Sequence, residues 1–261
     1  MNAIKTNRRR LAAALLPLTL AFTAAASQDT NAVFAARTRK AFESAQVQYQ
    51  SNTNDADTGV QFARACFDYA DFATNDVSRA TLALQGIAVC RHLTSQKPKL
   101  AAGHYFLAMN LGQLARTELV GALKIVKEME REFKTAESLD PQLDYAGPTR
   151  CLGLLYRDAP GWPASIGSAR KARSYLEQAV KLAPDFPDNR LNLAESCLQW
   201  HDSDGVKKEL KALDALWPAA QTNFSGEAWE QSWNDWSARH AAVLKKLDEL
   251  TAPTKTPRNS N

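Results

Sequence analysis

The sequence predicts an all-α fold, an α-α superhelix of about four long helix pairs with an additional helix at each end. Three observations lead there. Amphipathic stretches with helical spacing fill most of the 261 residues. Only 11 Gly and 11 Pro leave too few turn residues for a turn-rich all-β fold. A set of small and apolar positions also recurs four times at fixed distances before a proline. Hydrophobic content of 45% and charged content of 23% are globular values, enough to bury a sizeable core.

The chain opens with polar and basic residues 1–10, an apolar run from Leu11 to Phe22, and Ala24-Ala25-Ala26 before polar Ser27. This is the layout of a secretory signal, expected to be cleaved near Ala26 and to send the protein to the periplasm. The apolar run is too short to span ~30 Å of hydrocarbon, and no later segment is longer. Arg8-Arg9-Arg10 leaves both the general and the twin-arginine export routes open. Four of the 32 basic residues, Lys5 and Arg8 to Arg10, fall in this segment, and the other 28 face 28 acids. The mature chain is therefore neutral, which removes the electrostatic case for nucleic acid.

Residues 29–50 read as a leading helix, and 51–57 as a polar loop closing a first section, 27–55. The repeats occupy 56–218. Pro98, Pro141, Pro184 and Pro218 lie 43, 43 and 34 residues apart, each placed to stop a helix. Twelve, eight and five residues before them stand Gly86, Cys90 and Leu93; Met129, Phe133 and Ala136; Ala172, Leu176 and Ala179; Val206, Leu210 and Leu213. Those offsets trace one helix face. After the first three prolines a second helix carries a large residue followed by a small one: Leu107-Ala108, Leu152-Gly153, Leu193-Ala194. The small residue admits a neighbouring helix. Insertions lengthen the early repeats, so Glu118 to Leu139 reads as one helix striped by Leu119, Leu123, Val126, Met129, Phe133 and Ala136. A closing helix within 219–250 carries Trp229, Trp233, Trp236, His240, Val243, Leu244, Leu247 and Leu250, one face to cover the last repeat. Residues 251–261 read as a disordered tail.

The repeat pattern resembles the tetratricopeptide repeat, with Leu-Gly and an aromatic on helix A, then Ala, an aromatic, Ala and Pro on helix B. Gly103 to Gly112, Leu152 to Tyr156, Ala159 to Gly167 and Asn189 to Glu195 are similar to a narrower group, the TatT-like T component of TRAP transporters. That resemblance implies a periplasmic partner of transporter subunits in uptake of small organic acids, in some cases a lipid-anchored oligomer. This chain lacks the acylation Cys after its apolar run.

The repeat resemblance also implies a concave surface built from the A helices, where partners bind. Projected onto it are Tyr105, Met109, Gln113, Arg150, Arg157, Glu195 and Gln199. Arg150 and Arg157, seven apart, share a helix face and suit a carboxylate clamp or internal ion pairs. His104 falls where helices pack, as a structural group or a pocket rim. Trp162 and Ser165 lie in a stiff insertion, Asp158 to Gly167, that either rims a pocket or caps helix ends and buries its indole. Cys66, Cys90, Cys151 and Cys197 lack metal-ligand spacing and read as buried thiols, with a Cys66–Cys90 disulfide open. No nucleophile elbow, phosphate loop or zinc motif occurs. No catalytic residue, metal or cofactor is expected. The function expected is a scaffold for a protein partner, the alternative a transporter accessory that binds a small organic acid.

Overall fold

The computed structural model describes residues 24–118 and 121–251. The export segment and the tail thus fall almost wholly outside the described residues. Ten α-helices follow in order. They are α1 (Ala24–Ser51), α2 (Ala56–Ala70), α3 (Asp76–Gln96), α4 (Ala101–Ala115) and α5 (Ala122–Leu139). Then come α6 (Leu143–Asp158), α7 (Ala169–Leu182), α8 (Pro187–Gln199), α9 (Ser203–Asn223) and α10 (Glu230–Thr251). No described helix is long and apolar enough to cross a membrane.

The chain divides into two compact units, one ending at Leu182 and the other beginning at Ala183. In the first, each helix packs on the next from α1 to α7, and α2 touches α4 as α4 touches α6. That is a tetratricopeptide-like α-α superhelix with α2, α4 and α6 in one layer. In the second, α8 and α9 form a further pair and α10 packs on both.

All twelve proline-offset residues are buried, so one stripe on α3, α5, α7 and α9 supplies the contact with the preceding helix. The small residues act as the pattern requires. A methyl at Gly153 would lie 2.7 Å from Leu176 Cγ, so only glycine lets α7 approach α6 so closely. A methyl at Gly86 would overlap the amide of Asn110, whose Nδ2 donates to the Ala63 carbonyl on α2. Side-chain caps start three helices: Asp55, Asn75 and Asp202 accept from the backbone N–H of Thr58, Ser78 and Gly205.

Three expectations are corrected. Helix α5 starts at Ala122 behind Gly121, not at Glu118, and Leu123 is half-exposed at its first turn; Leu119 lies outside the described residues. Pro98, Pro141 and Pro184 follow helix ends, but α9 runs on through Pro218. Its ring removes one N–H, yet Ala220 and Phe224 beyond it are buried in a cluster with Phe186 and Trp236, and that packing carries the helix past the break. On α10 only Trp236, Val243 and Leu247 are buried, while Leu244 and Leu250 face out.

Helix α6 begins with an irregularity. Asp144, Tyr145 and Ala146 all have left-handed backbone, with φ of 50°, 55° and 64°. Non-glycine residues there cost roughly 1–2 kcal/mol each, so neighbouring groups must hold them. Arg150 does so, donating to the Asp144 and Tyr145 carbonyls and to the Asp144 carboxylate at 3.3 Å.

Candidate functional site

The first unit contains a cavity of about 610 Å³. Its walls are the end of α2, the last two turns of α4 and of α6, α5 from Ala122 to Phe133, and the insertion after α6. Met109, Val126, Met129, Phe133, Cys151 and Leu154 are representative, and the lining is predominantly apolar. Residues of the α2, α4 and α6 C-termini gather at its rim, each helix presenting the negative end of its dipole. Two guanidinium groups answer them. Arg116, beside the end of α4, donates to the Asp71 carboxylate at 2.8 Å and to Gln113 Oε1 at 3.0 Å. Arg79 donates to Gln113 Oε1 and to the Ala73 carbonyl. Burial and the charge of Arg116 lower the Arg79 pKa. Gln113 Nε2 completes the set on Asp71 at 2.8 Å. On the opposite rim the Arg157 guanidinium grips Asp158 through two bonds of 2.7 and 2.9 Å. Both rim carboxylates thus already hold an arginine, and no group of three or more His, Cys, Asp or Glu among the described residues is placed to hold a metal.

Of the residues projected from sequence, Met109 and Gln113 line this cavity. Tyr105 does not face an open groove. It is 1% exposed, and its hydroxyl donates to the Asp144 carboxylate at 2.6 Å. Arg150 is 7% exposed and is spent on the left-handed turn, while Arg157 is spent on Asp158. The two therefore do not meet as a clamp on a free carboxylate. His104 bridges α4 to its neighbours, with Nδ1 2.6 Å from Glu132 and Nε2 3.0 Å from the Pro98 carbonyl. In the second unit Glu195 receives Arg239 at 2.8 Å, and Gln199 is exposed.

The insertion rims the cavity through Ala159, Pro160 and Ala164, whereas Trp162 is 88% exposed rather than buried. Ser165 Oγ is enclosed in the loop and has no hydrogen-bond partner. The cysteines form no disulfide. Burial pushes the Cys66 thiol up to about 12 and raises Cys90 as well, in line with inert apolar use. Cys151, half-buried, lines the cavity instead.

Sequence reasoning missed Phe67, Asp71, Arg116 and Leu154 as cavity residues, whereas Asp158 belongs to the insertion it offered as a pocket rim. The first three share a positional signal, each lying in or just after the last turn of an A helix, and Leu154 lies one turn before such an end.

The fold and this pocket define a helical-repeat protein with a preformed apolar cavity. No model of a known protein family matches the chain, and no curated protein does. Among solved structures, the chain is similar to TTC0263, a thermophilic tetratricopeptide-repeat protein of Thermus thermophilus. The TM-score is 0.58 at 21% identity, over 80% of this chain and 92% of that one. The likeness is one of fold.

Proposed function

We propose that the chain is an exported, non-catalytic repeat scaffold that holds an apolar segment of a protein partner in the cavity of its first unit. The observation that carries this is the cavity's chemistry: its walls are apolar and its rim charges are mutually paired. Recognition then rests on shape and apolar contact, as at the centre of protein interfaces. A photo-crosslinking residue in place of Met109 should trap a protein, and the same residue at exposed Ser174 should not. Filling the cavity with Leu154→Trp should abolish the adduct. Absence of any protein adduct from Met109 would sink the reading.

The finer resemblance, to the T component of TRAP transporters, rests on the segments quoted from the sequence. Neighbouring genes for a substrate-binding protein and membrane subunits would support it. Against an acid-binding role stands the engagement of Arg150 and Arg157 with internal partners. For export, intact mass should show a mature protein shortened by the first 26 residues.

A further inference from the structure

We propose that the cavity of the first unit holds one soft monovalent metal ion, Cu(I), on the sulfurs of Cys151, Met109 and Met129. The chain has three methionines, and the two beyond Met1 both line this cavity, Met109 from α4 and Met129 from α5. Cys151 joins them from α6 and is the one cysteine that is not fully buried. Leucine would fill the same walls, whereas sulfur adds a polarisable lone pair. The Cys151 thiol donates to the Met109 thioether, with 3.7 Å between the two sulfurs. With about 2.3 Å from a metal to each sulfur, that 3.7 Å separation gives an angle of about 107° at the ion, close to tetrahedral. The ion thus takes the place of the thiol proton, which leaves to solvent as a sulfur–metal bond replaces the sulfur–hydrogen bond. No electron is transferred. Both side chains are half-buried, which gives the ion a way in.

Met129 supplies the third sulfur. A methyl at Gly112, one turn along α4 from Met109, would lie 3.1 Å from Met129 Cε, so the glycine admits this side chain close to α4. Its unbranched, freely rotating stem lets the thioether turn towards the ion. The identity of the ion follows from charge and softness. One thiolate and two neutral thioethers balance a single positive charge and leave none over in an apolar wall. Zn²⁺ would leave one charge uncompensated there, which is costly. The rim carboxylates of Asp71 and Asp158 already hold arginines and do not supply the missing negative charge. Thiolate and thioether are also the donors that suit Cu(I).

The test titrates the full, reduced chain under anaerobic conditions with Cu(I) held by the coloured chelator bicinchoninate. The colour should fall until one ion has moved to each chain. Cys151→Ser should abolish the transfer, although three thiols remain. Met109→Leu and Met129→Leu, which keep the packing volume, should each raise the dissociation constant at least about tenfold, no less than the loss of an outer-shell group costs. X-ray absorption at the copper edge should show sulfur neighbours and no oxygen. An equal concentration of Zn²⁺ should leave the bound copper in place. No transfer at all, transfer that survives Cys151→Ser, or methionine variants that bind like wild type would each overturn the site. Displacement by Zn²⁺ would overturn its assignment to a monovalent ion. The measurement involves no protein partner, so its failure is separate from that of the scaffold reading.

Discussion

Tyr105 and Arg150 project from the sequence onto a ligand-binding face, and both instead serve Asp144. The sequence reveals that they lie on one layer of helices. It does not reveal the left-handed turn at residues 144–146, because nothing in Asp-Tyr-Ala marks φ above zero as Gly or Asn would. Gly147-Pro148 is the nearest cue. Tyr105→Phe should cost about 1–2 kcal/mol, a buried bond to a carboxylate. Arg150→Met should cost about 1–3 kcal/mol, because it strands two carbonyls and leaves the half-exposed Asp144 carboxylate to Tyr105. Urea midpoints at unchanged slope measure both, and a Tyr105→Phe variant as stable as wild type would refute the latch. Asp68 offers a pH test. Burial of its inner side pushes the carboxyl up to about 6, with the charges of Asp71 and Asp144 adding to it and Arg64 opposing. Because the folded value is raised, its protonation favours the folded state, and this contribution fades as pH climbs through about 6. Asp68→Asn should therefore melt higher than wild type at pH 7, and the gain should vanish as pH falls towards about 4. Solvent on the outer face keeps the effect modest.

At the scale of elements, the stripe before each proline predicts which faces of α3, α5, α7 and α9 are buried, because packing of small and large residues is encoded locally. Helix limits are less legible. Pro218 carries the same local message as Pro184, and only the distant aromatic cluster tells them apart. The closing helix shows the same limit. Its Trp stripe is legible, but the bolt between α8 and α10 is not. Arg239 donates to Glu195 at 2.8 Å, to Asp188 at 2.6 Å, to Asp235 at 3.0 Å and to Asn192 at 2.9 Å. Three carboxylates around one guanidinium raise the Arg239 pKa despite burial, whereas burial and the neighbouring acids raise that of Asp235. Arg239→Ala should destabilise the second unit by about 3 kcal/mol, since the acids then repel one another with no counter-charge. Hydrogen exchange in α10 should rise at pH 7, and the deficit should shrink as pH falls and the carboxylates protonate. A deficit independent of pH would exclude that electrostatic cause.

Across the whole molecule, the even balance of acids and bases beyond residue 26 leaves specificity to local features, and the cavity in the first unit is such a feature. It is out of reach of sequence because its walls come from five segments between residues 67 and 164, each unremarkable by itself. Cysteine chemistry reports on it directly. Of the four thiols, that of Cys151, the one not fully buried, should react first with a thiol reagent under native conditions. Cys66 and Cys90 should react only on unfolding. Faster modification of Cys66 than Cys151 would contradict the cavity wall. The indoles divide in the same spatial way. Trp162 is the one tryptophan of the first unit, and the other five belong to the second, with Trp236 buried. The chain thus carries a two-colour optical label of its own. Red-edge emission from a water-exposed indole should report the insertion after α6, and blue-edge emission the core of the closing helix. The difference spectrum against Trp162→Phe separates them without any dye.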